Sequence, residues 1–265
     1  MIQHLLQLIW NQRKQNAWLW AELLLVSVFL WFLVDYLYVM GRTYTAPLGF
    51  DIRHTYSIVI SSLSERSPDY IPKEKRERPD GVHLLTALDR IRTYPGVESA
   101  CLTDGGMPYY MGSRNLVWRI DTLQVPCRYA FVTPEFFDVF RIYDKDGKTA
   151  SLKRAIEDNN SIVISADVET MNPGLSLLGQ KAYRGNVTDE IEETIRGISV
   201  PIRRHEYTKA EPNVYRALRL SRMEEGYYEG MIDAVRLCVR VRPDVDNADF
   251  PARFRKDMAE QLRLG

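Results

Sequence analysis

The chain has 265 residues, of which 45% are hydrophobic, and its 35 basic side chains balance 35 acidic ones. Zero net charge without a long like-charge block removes the basic footprint that phosphate binding needs, which speaks against a nucleic-acid partner. Cys101, Cys127 and Cys238 are widely spaced and form no C-x-x-C pair, which excludes a zinc ribbon or a thioredoxin-type motif; the odd count leaves either three buried thiols or one disulfide with a thiol over.

The opening stretch "MIQHLLQLIWNQRKQN" carries Ile2, Leu5, Leu6, Ile9 and Trp10 at helical spacing. It predicts a short amphipathic helix over residues 1–16 lying along a membrane surface, closed by Arg13 and Lys14. Residues 17–40 follow with an uncharged apolar core over 23–34 that offers only Ser27 as a polar side chain. As a helix this stretch is roughly 35 Å long, enough to cross a hydrocarbon layer of about 30 Å. Trp18, Trp20, Tyr36 and Tyr38 stand near its ends, where interfacial aromatic anchors belong. No small-x-small cleavage site follows, so the segment reads as an uncleaved anchor rather than a signal peptide.

Two carboxylates interrupt it. Glu22 and Asp35 lie 13 positions apart, about 20 Å along the axis, so a centred helix cannot bring both to the aqueous boundary of a thick bilayer. Asp35 sits among Tyr36 and Tyr38 and reads as an interfacial anchor at the outer edge. Glu22 then lies a turn or more inside the other leaflet, where a central acid costs about 2.5–3.5 kcal/mol on insertion scales. It either snorkels or is protonated, or it is an intramembrane contact for partner helices. Arg13 and Lys14 favour a cytoplasmic N-terminus, against Arg42 and Arg53 beyond the span, so residues 41–265 are expected on the far side.

The remainder reads as a water-soluble α+β region. "TYSIVISSL" (55–63) is a predicted strand, followed by a charged loop of mixed sign. Asp80 is placed to cap a helix whose Val82, Leu85, Leu88 and Ile91 form an apolar stripe, stopped by Pro95 and Gly96. "VESACLTD" (97–104) is the next strand, and "NLVWRIDTLQVPCRYAFV" alternates as a β-hairpin, with Leu116, Trp118 and Ile120 matched by Val125, Cys127, Tyr129 and Phe131. "PEFFDVFRIYDKDGK" predicts a short aromatic helix and turn, "SIVIS" (161–165) a strand, and residues 177–202 short strands joined by turns. In "DAVRLCVRVRP" (233–243), Val235, Leu237, Val239 and Val241 alternate against Arg236, Cys238 and Arg240. A closing helix begins near Asp246 or Asn247, takes Pro251 in its first turn, and stripes Phe250, Phe254, Met258 and Leu262.

Chemistry-bearing motifs are sparse. His4, His54, His83 and His205 do not fall at metal-ligand spacings, and the nucleophile-elbow, P-loop and dinucleotide fingerprints are missing. No metal site, cofactor site or catalytic group emerges, and no enzyme activity is expected. Asp104-Gly105-Gly106 reads as a plain loop, "HEYTKAE" (205–211) as a polar one, and "NVT" (186–188) matches a glycosylation sequon that arises often by chance. Met107, Tyr109, Tyr110 and Met111 form either an exposed contact loop for a partner protein or packing beneath the hairpin.

The pieces, in order, resemble the MacB/FtsX-like permeases of ABC transporters, of the Bacteroidetes type. The stretches that carry the resemblance are "YPGVESACLTDGGMPY", "VTPEFFDVFRI", "NSIVISADV", "LLGQKAYRG", "IRGISVPIRRHEYTKAEPNVYRAL" and "VRVRPDVDNADFPARFRKDMAEQL", which together cover nearly the whole chain. The resemblance implies one span followed by a periplasmic β-α-β porter-like subdomain (41–135 and 231–265) interrupted by a strand-rich subdomain (136–230). It also implies a separate ATPase subunit, further spans or a second permease copy as partners for Glu22, surrounding lipid, a periplasmic partner protein, and residence in a bacterial inner membrane. Family members carry more spans after this domain, so a chain stopping at "QLRLG" reads as a fragment or truncated product of such a permease. The alternative is a single-span sensor or scaffold whose outer domain binds a ligand or protein.

Overall fold

The computed structural model describes residues 3, 7, 10, 14, 17–60, 65–68, 70–72, 75–76, 78–110, 112, 114–185, 190–226 and 234–261. Most of the expected N-terminal amphipathic helix, the sequon at 186–188, Met111 and Leu262 lie outside these residues. Residues 1–47 with 206–208 form one compact unit, and the rest forms another.

In the first unit, helix α1 (Ala17–Thr45) runs for 29 residues, and none of them is buried. Thr45 closes it by donating its hydroxyl to the Gly41 carbonyl at 3.0 Å, which satisfies one of the last turn's open acceptors.

Among the described residues the second unit is a mixed α/β structure around one nine-stranded sheet. Strand β1 (Thr55–Ile58) and strand β2 (Val97–Asp104) both run antiparallel to β9 (Arg236–Val241), one on each side of it. They are therefore parallel to each other, and helix α2 (Asp80–Arg92) makes the connection between them. One face of this sheet is covered by α2 and by α7 (Phe250–Gln261). There Leu84, Ala87, Leu88 and Ile91 of α2 meet Phe250 and Met258 of α7 over Ala100, Leu102, Leu237, Val239 and Val241. The buried stripe of α2 thus runs through Leu84 and Ala87, leaving Val82 and Leu85 only half-buried. Asp80 is inside the helix rather than capping it, and Pro79 holds the cap position. The Asp80 carboxylate instead pairs with Arg76 at 2.6 Å.

The opposite face of β9 is buried too. Cys238 and Arg240, which alternate with the valines, are both 0% exposed, so β9 is sandwiched rather than half-solvated. Short helix α3 (Phe136–Val139) covers that face, with α4 (Ala150–Ala155). Phe136 packs on Phe140 at 4.8 Å and on Tyr215 at 5.5 Å, and Phe137 meets Tyr215 edge-on at 5.5 Å. Full burial of each such ring contributes about 1.5–3 kcal/mol.

Strands β3 (Arg114–Ile120), β4 (Leu123–Val132), β5 (Ser161–Ser165), β6 (Lys181–Arg184), β7 (Ile191–Ser199) and β8 (Asn213–Ala217) close on themselves. The hairpin β3–β4 registers Arg114 against Tyr129 and Ile120 against Leu123, while the other edge of β4 pairs in parallel with β8 from Arg128–Asn213 to Val132–Ala217. The ladder then passes β3-β6-β7-β5-β8 and returns to β4. Inward-facing Trp118, Ile120, Val125, Cys127, Ile162, Ile164, Ala182, Ile195 and Val214 come from all these strands and pack into one cluster inside the ring. Gly197 permits the close approach of β7 to β5, since a Cβ there would stand 2.8 Å from a methyl of Val163. Helix α5 (Asp167–Met171) follows β5, and α6 (Leu220–Glu224) follows β8.

Candidate functional site

Apolar side chains need a reason to be bare, and α1 presents the largest set of them. Trp18 is 78% exposed, Trp31 70% and Leu25 69%, and no residue of the helix is buried. Among the described residues this is the one helix long and apolar enough to cross a membrane by length and composition, with a mean hydropathy of 2.2 over its best window. Glu22, Asp35, Trp18, Trp20, Tyr36 and Tyr38 all lie on it and are all exposed. At 100° per residue, Glu22 and Asp35 project about 140° apart around the axis, so one flanking helix cannot meet both carboxylates.

Met107, Tyr109 and Tyr110 do not act as one unit. Gly106, at φ 71°, turns the chain beside β4, where a Cβ would stand 2.5 Å from that of Ala130; the Asp104-Gly105-Gly106 stretch is thus a turn with a steric requirement. The turn drives Met107 against the core, with its Sδ 3.6 Å from the Cys238 Sγ. Tyr109 remains 43% exposed, its ring edge-on to Phe50 at 6.0 Å and its N–H donating to the Arg204 carbonyl at 3.1 Å.

Polar clusters that the sequence reading did not single out lie inside the second unit. Glu193 is 2% exposed and sits at one mouth of the ring. Its Oε1 accepts from the Arg216 Nε at 2.7 Å and pairs with Arg184 at 3.3 Å, and its Oε2 accepts from the Trp118 indole N–H at 3.3 Å. Arg216 also lies 4.9 Å over the Phe131 ring. Burial draws the Arg216 guanidinium below its ordinary value, and repulsion from Arg184 adds to this against the pull of Glu193. The same mouth holds Asp104, paired with Arg114 at 2.9 Å; burial pushes its carboxyl up although Arg114 opposes the shift. These groups line a cavity of about 470 Å³. Asp104 and Glu193 each have a guanidinium partner within it, which marks the cluster as a structural ion network.

A further cluster ties the two ends of the unit together. The Arg240 Nε donates to the Val139 carbonyl at 2.6 Å, one terminal nitrogen donates to the Arg53 carbonyl at 2.7 Å, and the other donates to the Asp51 carbonyl. Nearby, Asp246 accepts from the Tyr56 hydroxyl and stands 2.5 Å from the His54 Nδ1. The hydrogen bond to Asp246 pushes the Tyr56 phenol up to about 12, and the same bond holds the Asp246 carboxyl below its usual range. His54 takes φ 58°, a left-handed conformation rare outside glycine, to reach that carboxylate. The alternation of arginines in β9 was the available signal for Arg240, but outward-facing arginines produce the same pattern. Among the described residues no group of three or more His, Cys, Asp or Glu could hold a metal ion.

No family model matches the chain, and no curated protein matches it. Among solved structures it is similar to a domain assigned to a permease protein from Porphyromonas gingivalis, at 18% identity and TM-score 0.47, over 67% of this chain and 68% of that one. It is also similar to the periplasmic region of MacB from Actinobacillus actinomycetemcomitans, at 11% identity and TM-score 0.46, over 83% of this chain and 89% of that one. A third likeness is to the extracellular domain of the noncanonic ABC-type transporter YknZ from Gram-positive bacteria, at 12% identity and TM-score 0.46, over 78% and 92%.

Proposed function

We propose that the chain is the anchoring span and outer domain of a MacB/FtsX-like ABC permease subunit. In this reading α1 crosses the inner membrane, residues 41–265 lie in the periplasm, and a separate subunit hydrolyses ATP. Movement of the spans passes through the outer domain to a periplasmic partner, and the Tyr109 loop is a candidate contact for it. Residues 41–135 and 231–265 hold the porter-like part and 136–230 most of the strand-rich part, into whose ring the β3–β4 hairpin (114–132) also closes. The parallel pair β1 and β2, joined through α2 around β9, supports the porter-like assignment. The single observation that carries the reading is α1: 29 residues with a continuous apolar surface and no buried side chain, directly preceding a folded α/β unit. Such a surface in water would be an aggregation liability; in lipid it is an anchor.

Placement outside the cytoplasm is checked by labelling. Asn159 is exposed on the loop before β5, so Asn159→Cys in a chain whose native cysteines are changed to Ala should react with a membrane-impermeant maleimide in cells with a permeabilised outer barrier. Reaction only after the inner membrane is broken would refute the proposed topology.

The Glu22 assignment makes a paired prediction. Glu22→Leu should ease insertion of the isolated segment by removing the transfer cost of an acid. The same change should weaken association with the other spans only partly, since polar contacts between membrane helices average about 0.6 kcal/mol and reach about 1.7. Asp35→Leu should do less to both. Glycosylation-mapped insertion and crosslinking to the other spans measure the two effects, and a larger defect from Asp35→Leu would reverse the assignment of the two carboxylates.

A further inference from the structure

Cys101 and Cys238 are direct partners in the antiparallel ladder between β2 and β9. Both are 0% exposed and belong to the same core cluster, on the face covered by α3, so their side chains leave the sheet in the same direction. In this structure both are free thiols, and the Cys238 thiol donates to the Met107 Sδ at 3.6 Å. Directly opposed residues of an antiparallel pair have Cα atoms about 4.5 or 5.5 Å apart, and both values fall within the roughly 4.4–6.8 Å that disulfides span. The third cysteine, Cys127, is inside the ring, where its thiol donates to the Val125 carbonyl at 3.5 Å, and it packs in a different cluster. An odd count thereby resolves into one facing pair and one thiol kept apart.

We propose that Cys101 and Cys238 form a disulfide across β2 and β9, stapling the first and last parts of the outer domain. The proposal rests on the extracytoplasmic placement of that domain, because only an oxidising compartment supplies the electron acceptor. The acceptor is a disulfide, either of a thiol oxidoreductase or of oxidised glutathione. One cysteine thiolate attacks it to give a mixed disulfide and release one thiol. The second thiolate then displaces the other, so that two protons and two electrons leave the pair and the acceptor becomes two thiols. Enclosure of both sulfurs means that the exchange occurs before the core closes. Burial, followed by the neighbouring Cys238 thiol, raises the Cys101 thiol well above its ordinary value, so folded Cys101 is a poor nucleophile, and the enclosure of both sulfurs keeps reductant from a folded disulfide.

The test uses the full chain in detergent micelles, refolded from denaturant with either oxidised glutathione or dithiothreitol. The expected product of the first is a Cys101–Cys238 linked peptide in non-reducing peptide mass spectrometry, with Cys127 alkylatable after denaturation. The oxidised form should melt roughly 5–10 °C above the reduced form. Cys101→Ala with Cys238→Ala should abolish that difference and Cys127→Ala should keep it. A fully alkylatable chain, or a link involving Cys127, overturns the proposal whatever the topology. In cells, acid-quenched alkylation that finds Cys101 and Cys238 reduced while the Asn159→Cys label is outside also overturns it. Reduced cysteines with the label inside, beside a positive refolding result, would instead count against the topology and leave the thiol chemistry standing.

Discussion

Arg240→Ala is expected to lower the stability of the outer domain by about 3–5 kcal/mol, one of the two largest losses foreseen for any single side chain in it. The guanidinium is fully enclosed and is the shared donor to carbonyls of Val139, Arg53 and Asp51, which belong to α3 and to the segment leading into β1. Removing it leaves buried acceptors unpaired, at about 1–3 kcal/mol each, and opens a cavity the length of an arginine. Arg240→Lys should recover only part of the loss. An ammonium is a compact point donor, whereas these carbonyls are met by a planar fork reaching in diverging directions. Urea unfolding of the detergent-solubilised chain, followed by tryptophan fluorescence, measures both variants. A loss below about 1 kcal/mol for Arg240→Ala would show that the observed donor geometry is not what holds these segments.

Glu193→Ala should cost a comparable amount, about 3–5 kcal/mol, for an electrostatic reason. Its carboxylate stands between Arg184 and Arg216, and without it these two partly enclosed guanidiniums face each other with no other ion pair of theirs among the described residues. Trp118, fully buried inside the ring, would also lose the acceptor of its indole N–H. A second design separates loss of charge from loss of packing. Replacing the charges together, with Glu193→Leu, Arg184→Leu and Arg216→Met, should remove the electrostatic part of the loss and leave only the unpaired Trp118 N–H, about 1–3 kcal/mol below the parent. Chemical denaturation of the single and triple variants decides it. A triple variant as unstable as the single one would mean that the ion network contributes more than mutual neutralisation.

The elements were more legible in the sequence than their partners. Strands 97–104 and 161–165 coincide with β2 and β5, which are short runs buried on both faces, and the β3–β4 hairpin follows its alternation; both signals are local properties of the chain. Pro251 falls in the first turn of α7, where its missing N–H costs nothing. The core face of α2 was harder to read. Val82, Leu85, Leu88 and Ile91 make a plausible stripe, but Leu84 and Ala87 fit the helical period equally well, and the choice between them is made by partners far along the chain, among them Met223 of α6, whose carbonyl would stand 2.3 Å from a Cβ at Gly81. Ring closure left no local trace, since β4 finds β8 through a register that only tertiary packing sets. For that reason nothing in the sequence set Glu193, two residues before Ile195 on β7 and on the same face, apart from the other charges of that strand. Of the candidate sites, the residues of α1 could be picked out from composition alone. The pairing of Cys101 with Cys238 could not, since spacing says nothing of a β2–β9 register.

The position of β9 between β1 and β2 has a consequence in time. Residues 55–58 and 97–104 emerge early, yet neither can complete its ladder until 236–241 arrive between them. The thermodynamic penalty of so long a closure is small, since each doubling of a loop costs only about 0.6 kcal/mol. The kinetic one is larger: non-local pairing slows folding, and two bare strand edges wait meanwhile beside the uncovered Ala100 and Leu102. A chain interrupted before residue 236 would therefore present a sheet with a slot between β1 and β2 where β9 belongs, open to any extended peptide that reaches it first.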